Sequence, residues 1–168
     1  MKTLETERLI ICKLTLDDAE FILELLNTPA WLQFIGDRNV KNNEDACNYI
    51  ANGPMKSYEK NGFGLCLVKL KNETPIGICG LIKRETLQDV DIGFALLPYY
   101  EGMGYGTEGA QATLNFAKTD LGLKRIVAIT DAENINSIHL LEKSRFVFEK
   151  MVKLSEEEKE IMLFAAVI

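Results

Sequence analysis

The feature of the sequence that most constrains its fold is a change of pattern near residue 105. Before it, apolar or alternating runs at residues 63–70, 76–83 and 90–97 follow one another with only short, turn-rich segments between them. Such runs are typical of strands, and short connections favour an antiparallel meander. After it, helix-like and strand-like segments alternate, which is typical of a partly parallel sheet. The two patterns together predict a mixed sheet with helices packed on it.

The remaining elements extend this pattern in both directions. A strand at residues 8–14 and an amphipathic helix at 18–26 come first, and a second helical region runs from about residue 43 to 60, with a break at Gly53-Pro54. The intervening stretch, with Pro29, Gly36 and Asp37, is predicted to be a loop. The later part predicts helices at 105–121 and 136–143 and strands at 125–130, 146–154 and 161–167.

The expected class is therefore α/β (α+β), with a central mixed sheet of about seven strands and about four flanking helices. The chain has 168 residues and 47% apolar content, which suits one domain spanning residues 1–168. The last strand is apolar along its whole length. It is either buried on both faces or part of a homodimer contact.

Charge and cysteine usage exclude several classes of protein. The net charge is −6, with acidic and basic residues interleaved, so no basic stripe is available for nucleic acid. The 4 cysteines are scattered without paired spacing and without a nearby histidine, which argues against a zinc site and a disulfide framework. No apolar run approaches the roughly 20 residues that span a bilayer, and the first residues lack the apolar stretch of a signal peptide. We expect no metal, no membrane partner and a cytoplasmic location.

A glycine-rich segment joins the strand at 90–97 to the helix that follows it. Gly102, Gly104 and Gly106 stand at alternate positions, so backbone amides can approach a ligand closely in front of a helix N-terminus. This is the chemistry of an anion site, and a pyrophosphate would fit it. The alternative is a tight strand-to-helix turn without a ligand. The spacing is not GxGxxG and no Gly-Lys-Ser/Thr follows, which weakens Rossmann and P-loop interpretations.

These residues resemble the acetyl-CoA motif of the GNAT superfamily. The likeness comprises Gly-Met-Gly-Tyr-Gly at 102–106 after a strand that ends in Leu-Leu-Pro. Downstream, Asn134 and Ser137, followed by Leu-Leu-Glu-Lys-Ser-Arg-Phe at 140–146, are similar to the family's next segment. Thr-Glu-Arg-Leu at 6–9 and the stretch 31–38 are similar to the branch of ribosomal-protein N-terminal acetyltransferases. The resemblance covers nearly the whole chain.

The resemblance implies a sheet that splays between its fourth and fifth predicted strands, at 90–97 and 125–130, to admit acetyl-CoA. Backbone groups of Phe94, Ala95, Leu96 and Leu97 would pair with the pantetheine amides. The pyrophosphate would lie on the amides of Gly102, Met103, Gly104, Tyr105, Gly106 and Thr107. The sequence departs from the family pattern at Glu101, Met103 and Arg145, and Glu101 places a negative charge near an anionic ligand.

Transfer of an acetyl group to a primary amine needs a base, because such an amine is mostly protonated at neutral pH. Asp89 and Asp91 are two residues apart, so both point to one face if the segment is extended. The resemblance implies that a carboxylate on this strand is the base and favours Asp91. The alternative is that these aspartates cap a turn or solvate a strand end.

The resemblance also implies that Ser137 and Asn134 contact the cofactor near the leaving thiolate. The alternative is that Asn134 only caps the helix that follows it. His139 lies on the same helix and is expected to be structural or to face solvent. No Ser-His-Asp or Cys-His arrangement can be built, which favours direct transfer in a ternary complex over an acetyl-enzyme.

The acceptor side is expected at the early helices, with Trp31, Phe34, Asp37 and Arg38 as candidate substrate-binding residues. For Trp31 and Phe34 the alternative is ordinary packing. The predicted function is acetyl-CoA-dependent N-acetylation of a peptide N-terminus, an amino acid or a small amine. The alternative is a catalytically inactive CoA-binding regulatory module with the same fold, an alternative suggested by Glu101 and the short Asp91 side chain.

Overall fold

The computed structural model describes residues 1–168. Eight strands form one mixed sheet. The order across the sheet is β1-β2-β3-β4-β5-β6-β8-β7. All neighbouring pairs are antiparallel except β5 and β6, which are parallel. The strands are β1 (Leu4–Glu5), β2 (Leu9–Lys13), β3 (Leu65–Leu70), β4 (Pro75–Ile82), β5 (Asp91–Leu96), β6 (Arg125–Thr130), β7 (Val147–Val152) and β8 (Ile161–Val167).

Six α-helices pack on the two faces of this sheet. They are α1 (Ala19–Leu26), α2 (Pro29–Phe34), α3 (Asn43–Ile50), α4 (Lys56–Asn61), α5 (Tyr105–Thr119) and α6 (Ile135–Lys143). Helices α1, α2 and α3 share a core with one face of the sheet, while α5 and α6 share a core with the other. None of the helices combines the length and apolar character needed to cross a membrane.

Strand β5 contributes side chains alternately to the two cores. Ile92, Phe94 and Leu96 pack with the core on the α5 and α6 side, whereas Ala95 and Leu97 pack with the core under α1, α2 and α3. This alternation follows from the two-residue period of a strand. It places β5 between the two helical layers.

The predicted class and the meander of β3, β4 and β5 are confirmed, with β1 as an additional two-residue strand. Helix α2 was missed. Its six residues begin at Pro29, behind Thr28, whose hydroxyl accepts a hydrogen bond from the Trp31 N–H. Proline fits the first position of a helix, so its presence did not indicate a loop.

Gly53-Pro54 does not break the second helical region as predicted. Residues 51–55 instead form a π-helical turn that continues α3 into α4. The wider turn accommodates a proline inside a helix without ending it. The apolar strand β8 lies between β6 and β7, with Leu163, Phe164 and Ala166 buried, so its composition is explained within the sheet.

We predict that Gly77→Ala destabilises the protein, because a methyl group at Gly77 in β4 would collide with the Ala95 carbonyl oxygen and the Leu96 side chain of β5. The expected loss is about 1–3 kcal/mol in the free energy of unfolding, the usual range for overpacking. Urea unfolding measures it. Gly53→Ala is the matched control, since a methyl group there meets nothing within 4 Å. Equal unfolding midpoints for the two variants would contradict the close approach of β4 and β5.

Candidate active site

The central feature of the site is a gap between the parallel strands β5 and β6. Only one pair of residues, Asp91 and Val127, is in register between them. The Val127 N–H donates to the Val90 carbonyl oxygen at 3.0 Å, at the start of β5. Beyond this point β5 has no partner on its β6 side, so its edge is open.

The direction of the β5 backbone groups decides which residues face the gap. The Leu97 N–H donates to the Ile76 carbonyl oxygen on the β4 side, at 2.8 Å. Because neighbouring residues in a strand point to opposite edges, the N–H and C=O groups of Phe94 and Leu96 point into the gap. Those of Ala95 and Leu97 point to β4. The structure therefore divides the four predicted pantetheine-binding residues into two that face the gap and two that do not.

The glycine-rich segment leads from this open edge into α5. Gly102 and Gly104 have φ angles of 74° and 85°, a conformation that favours glycine. Gly104 caps α5, and the Glu108 N–H is the first amide of the helix to find an intrahelical partner, the Gly104 carbonyl oxygen at 3.0 Å. The amides of residues 105–107 have none, as expected at a helix start. These free amides lie at the positive end of the helix dipole, an arrangement that is suited to an anion.

Gly106 packs closely against α6. A Cβ there would stand 2.5 Å from the Leu140 Cδ1 atom of α6. A side chain at this position would therefore require the Leu140 side chain to shift. The glycine at 106 thus has a packing role beside any role in ligand binding.

The gap and the glycine segment open into one cleft of about 520 Å³. Its walls come from α2, the end of β5, the glycine segment and α6. Predicted residues that line it are Trp31, Phe34, Phe94, Ala95, Leu96, Gly102, Gly104, Gly106, Thr107, Asn134 and Ser137. Further lining residues are Thr28, Ala30, Ile35, Glu101, Asn136, His139, Leu140 and Lys143. Predicted site residues outside the lining are Asp37, Arg38, Asp89, Asp91, Leu97, Met103 and Tyr105.

Local contacts explain why Asp37 and Arg38 stay outside the cleft. The Asp37 carboxylate accepts a hydrogen bond from the Asn39 N–H at 2.8 Å and pairs with Lys41 at 3.0 Å. These contacts close an exposed turn, and Arg38 lies exposed within it. The structure thus gives no support to their placement at the acceptor.

Asn134 and Ser137 form the start of α6 in the cleft wall. The Asn134 side-chain oxygen accepts a hydrogen bond from the Ser137 N–H at 3.2 Å, so Asn134 caps the helix. Asn134 therefore caps α6 and also lines the cleft. The additional α6 residues Asn136, Leu140 and Lys143 follow at helical spacing, which is the signal by which the sequence could have indicated them.

Asp91 is buried at the start of β5, with 1% of its surface exposed. Its Oδ2 atom accepts a hydrogen bond from Arg84 Nε at 2.9 Å, while Oδ1 has no partner. Burial raises the pKa of the Asp91 carboxyl, and Arg84 offsets only part of this rise. Asp91 does not line the cleft.

Asp89 precedes β5 and does not share its environment. Its carboxylate pairs with Arg125 at 3.0 Å and lines a different groove, near Glu149. The condition under which the two aspartates would point to one face, an extended segment that contains both, is not met, because β5 begins only at Asp91. Each aspartate pairs with its own arginine.

The end of the cleft near α2 is mainly apolar. Trp31, Phe34 and Ile35 of the α2 region line it, and Trp31 is 5% exposed. The Trp31 Nε1–H is buried without a hydrogen-bond partner, which is uncommon for an indole donor. The cleft thus combines an open strand edge, free amides at a helix start and an apolar end.

Comparisons with known proteins identify the class to which this chain belongs, that of acyl-transferring enzymes. A family model described as an acetyltransferase (GNAT) domain matches residues 8–147. The chain therefore belongs to the GNAT family. The predicted family and the predicted acyltransferase class are confirmed.

Individual relatives are consistent with this assignment. The uncharacterized N-acetyltransferase p20 of Bacillus licheniformis is 28% identical over 161 residues, which cover 95% of this chain and 90% of p20. The structure of RimL, a ribosomal L7/L12 α-N-protein acetyltransferase in complex with coenzyme A, has a TM-score of 0.86 at 17% identity and covers 99% and 98% of the two chains. The self-immunity acetyltransferase MccE in complex with acetyl-CoA and AMP has a TM-score of 0.80 at 19% identity, covering 97% and 94%. At these identities the structural likeness concerns the fold.

We predict that Arg84→Met destabilises the protein at pH 7 by about 3–5 kcal/mol, because it leaves the buried Asp91 carboxylate unpaired. A carboxyl whose pKa is raised on folding contributes stability that is full below its unfolded pKa and lost as the pH rises through its folded pKa. Removing Arg84 raises that folded pKa further. The loss in free energy of unfolding of Arg84→Met relative to wild type is therefore smaller at pH 5 than at pH 7. Urea unfolding at both pH values measures this change.

The double variant Arg84→Met, Asp91→Asn is the control for that experiment. Its loss in free energy of unfolding relative to Asp91→Asn is expected to be the same at both pH values, because no buried carboxyl remains at position 91. A deficit of Arg84→Met that does not change with pH would contradict the burial of Asp91.

Proposed function

We propose that the protein transfers the acetyl group of acetyl-CoA to a primary amine, by direct transfer in a ternary complex. The acceptor classes are a peptide N-terminus, an amino acid or a small amine. The observation that carries the proposal is the open edge of β5, which runs directly into the amides at the start of α5. The coenzyme A and acetyl-CoA complexes of RimL and MccE support it.

The residues present fit acetyl-CoA at the open edge of β5 and at the start of α5. The gap-facing backbone groups of Phe94 and Leu96 suit the two amides of the pantetheine chain, as an added strand would. The amides of residues 102–107 suit the pyrophosphate, and Lys143 adds a positive charge to the same wall. Bound there, acetyl-CoA supplies an activated acetyl thioester.

The start of α6 is suited to the thiolate that leaves. The Ser137 hydroxyl takes part in no hydrogen bond within the protein, and the Asn134 side-chain nitrogen is also free, since only its oxygen serves as the cap. Both groups can donate a hydrogen bond, which stabilises charge that develops on sulfur. We assign them this role in the proposal.

The amine must lose a proton, and Asp91 is the proposed destination. It lies on the same face of β5 as Ala95, which lines the cleft, but four residues earlier, or about 13 Å along the strand. Direct contact with the amine is too far, so the proposal places water between them, ending at the unpartnered Oδ1 atom. The raised pKa of Asp91 makes it a stronger base than an exposed aspartate.

The other parts of the proposal concern the molecule as a whole. All eight strands belong to one sheet, which contains strands from both ends of the chain, and this supports one domain over residues 1–168. A cytoplasmic location, no nucleic-acid partner, no metal and a homodimer stay predictions. An inactive CoA-binding module is not favoured, because the relatives are named as N-acetyltransferases.

The test is calorimetric titration with acetyl-CoA, followed by thiol release with a panel of peptides, amino acids, polyamines and aminoglycosides. We expect binding, and turnover with at least one amine. Asp91→Asn is expected to lower turnover about a hundredfold or more with binding intact, the range for loss of a general base. Asp89→Asn is the comparison variant. The Asp89 carboxylate lies in the other groove, so activity is expected to persist when it is removed.

Three outcomes would contradict this account. Failure to bind acetyl-CoA removes the proposal altogether. Binding without turnover for every amine favours the regulatory module. Full activity in Asp91→Asn removes Asp91 as the base and leaves the transfer reaction itself in place.

A further inference from the structure

Arg8, in the bend between β1 and β2, makes a set of contacts with the glycine segment that the proposed function does not use. Its Nη1 atom donates to the Met103 carbonyl oxygen at 3.0 Å, and its guanidinium carbon lies 4.5 Å from the centre of the Tyr105 ring. Its Nη2 atom is 3.2 Å from the position of a Cβ on Gly104. Arg8 therefore touches three consecutive residues at the start of α5.

Glu108, in the first turn of α5, completes this arrangement. Its carboxylate accepts hydrogen bonds from Arg8 Nε at 2.6 Å, from the Arg8 N–H at 2.9 Å and from the Thr6 hydroxyl at 2.5 Å. Burial alone would raise the pKa of Glu108, but these hydrogen bonds outweigh it and lower the pKa. The carboxylate thus ties the start of α5 to a segment about a hundred residues earlier in the chain.

The glycine segment has few other restraints. Residues 101–104 are exposed, and the bond from Arg8 is the one side-chain hydrogen bond that their backbone accepts. Gly102 and Gly104 both have positive φ angles, and glycine has more conformational freedom to lose than any other residue. Without an external contact the segment would populate other conformations. Arg8 is not part of the cleft lining, so it acts on a ligand only through the segment.

We propose that Arg8 is a positioning residue that holds residues 102–106 in the conformation whose amides bind the pyrophosphate of acetyl-CoA. The inference rests on the proposed function of the same site. The fork of the guanidinium is essential to it, because one nitrogen binds Glu108 while another binds Met103. The contact also places a positive charge behind a segment whose front carries Glu101.

The test compares two thioesters in the Arg8→Met variant, which keeps the length of the side chain and removes the fork. S-acetylpantetheine carries the thioester and amides of acetyl-CoA but no phosphate. We expect kcat/KM for acetyl-CoA to fall about tenfold or more, through KM, while kcat/KM for S-acetylpantetheine and the Kd for pantetheine stay within about twofold. Calorimetry with coenzyme A is expected to show the same loss without any need for turnover.

Three variants keep the outcome interpretable. Arg125→Met is the matched control, because Arg125 also pairs with two carboxylates, Asp89 and Glu149, but away from the cleft. It is expected to bind coenzyme A like the wild type. Arg8→Lys keeps the charge but cannot make both contacts. We therefore expect its coenzyme A binding to lie between that of Arg8→Met and that of the wild type. Glu108→Gln keeps the shape at the other end and, if Arg8→Met fails to fold, serves for the same comparison.

The results that would overturn the inference are distinct from those that would overturn the function. Coenzyme A binding by Arg8→Met equal to wild type removes the positioning role. Equal losses for both thioesters mean that Arg8 supports the fold in general, and full recovery in Arg8→Lys means that charge alone matters. If the wild type itself does not bind coenzyme A, the proposed function fails first.

Discussion

The structure depends on one incomplete strand pairing. Strands β5 and β6 belong to the same sheet, yet they are in register only at Asp91 and Val127. Each half of the sheet is otherwise antiparallel and complete, so the unpaired backbone groups are concentrated at one place. An extended ligand with amide groups can satisfy them. Every other feature of the site is arranged around this edge.

The two ends of the cleft complement the open edge with different chemistry. At one end, the start of α5 offers free amides and a helix dipole, with Gly102 and Gly104 allowing the backbone to turn toward a ligand. At the other end, α2 supplies apolar side chains, among them the buried Trp31. The glycine segment at the start of α5 is restrained by Arg8 and Glu108, which lie outside the cleft lining. The proposed pyrophosphate site is thereby connected to the packing of the N-terminal strands.

Much of this could be predicted from the sequence because it depends on local pattern. The strand and helix periods, the alternate glycines before α5 and the Asn134 cap are short-range features, and the structure contains each of them, the cap having been the alternative to a cofactor contact. Helix α2 was missed because six residues carry too little periodicity to outweigh a proline. The burial of Asp91, the separate partner of Asp89 and the contact of Arg8 with Met103 depend on long-range packing. The spacing of residues along the chain contains no signal for such contacts, which become visible only in the folded structure.

The central claim is that the open edge of β5 receives the coenzyme. Its most direct test is amide hydrogen exchange at β5, monitored by NMR with and without acetyl-CoA. The account predicts that exchange slows at Phe94 and Leu96, whose N–H groups point into the gap. It predicts no comparable change at Ala95 and Leu97, whose N–H groups point to β4. Binding of acetyl-CoA that leaves Phe94 and Leu96 unprotected, or that protects all four amides equally, would contradict the claim that the open edge of β5 receives the coenzyme.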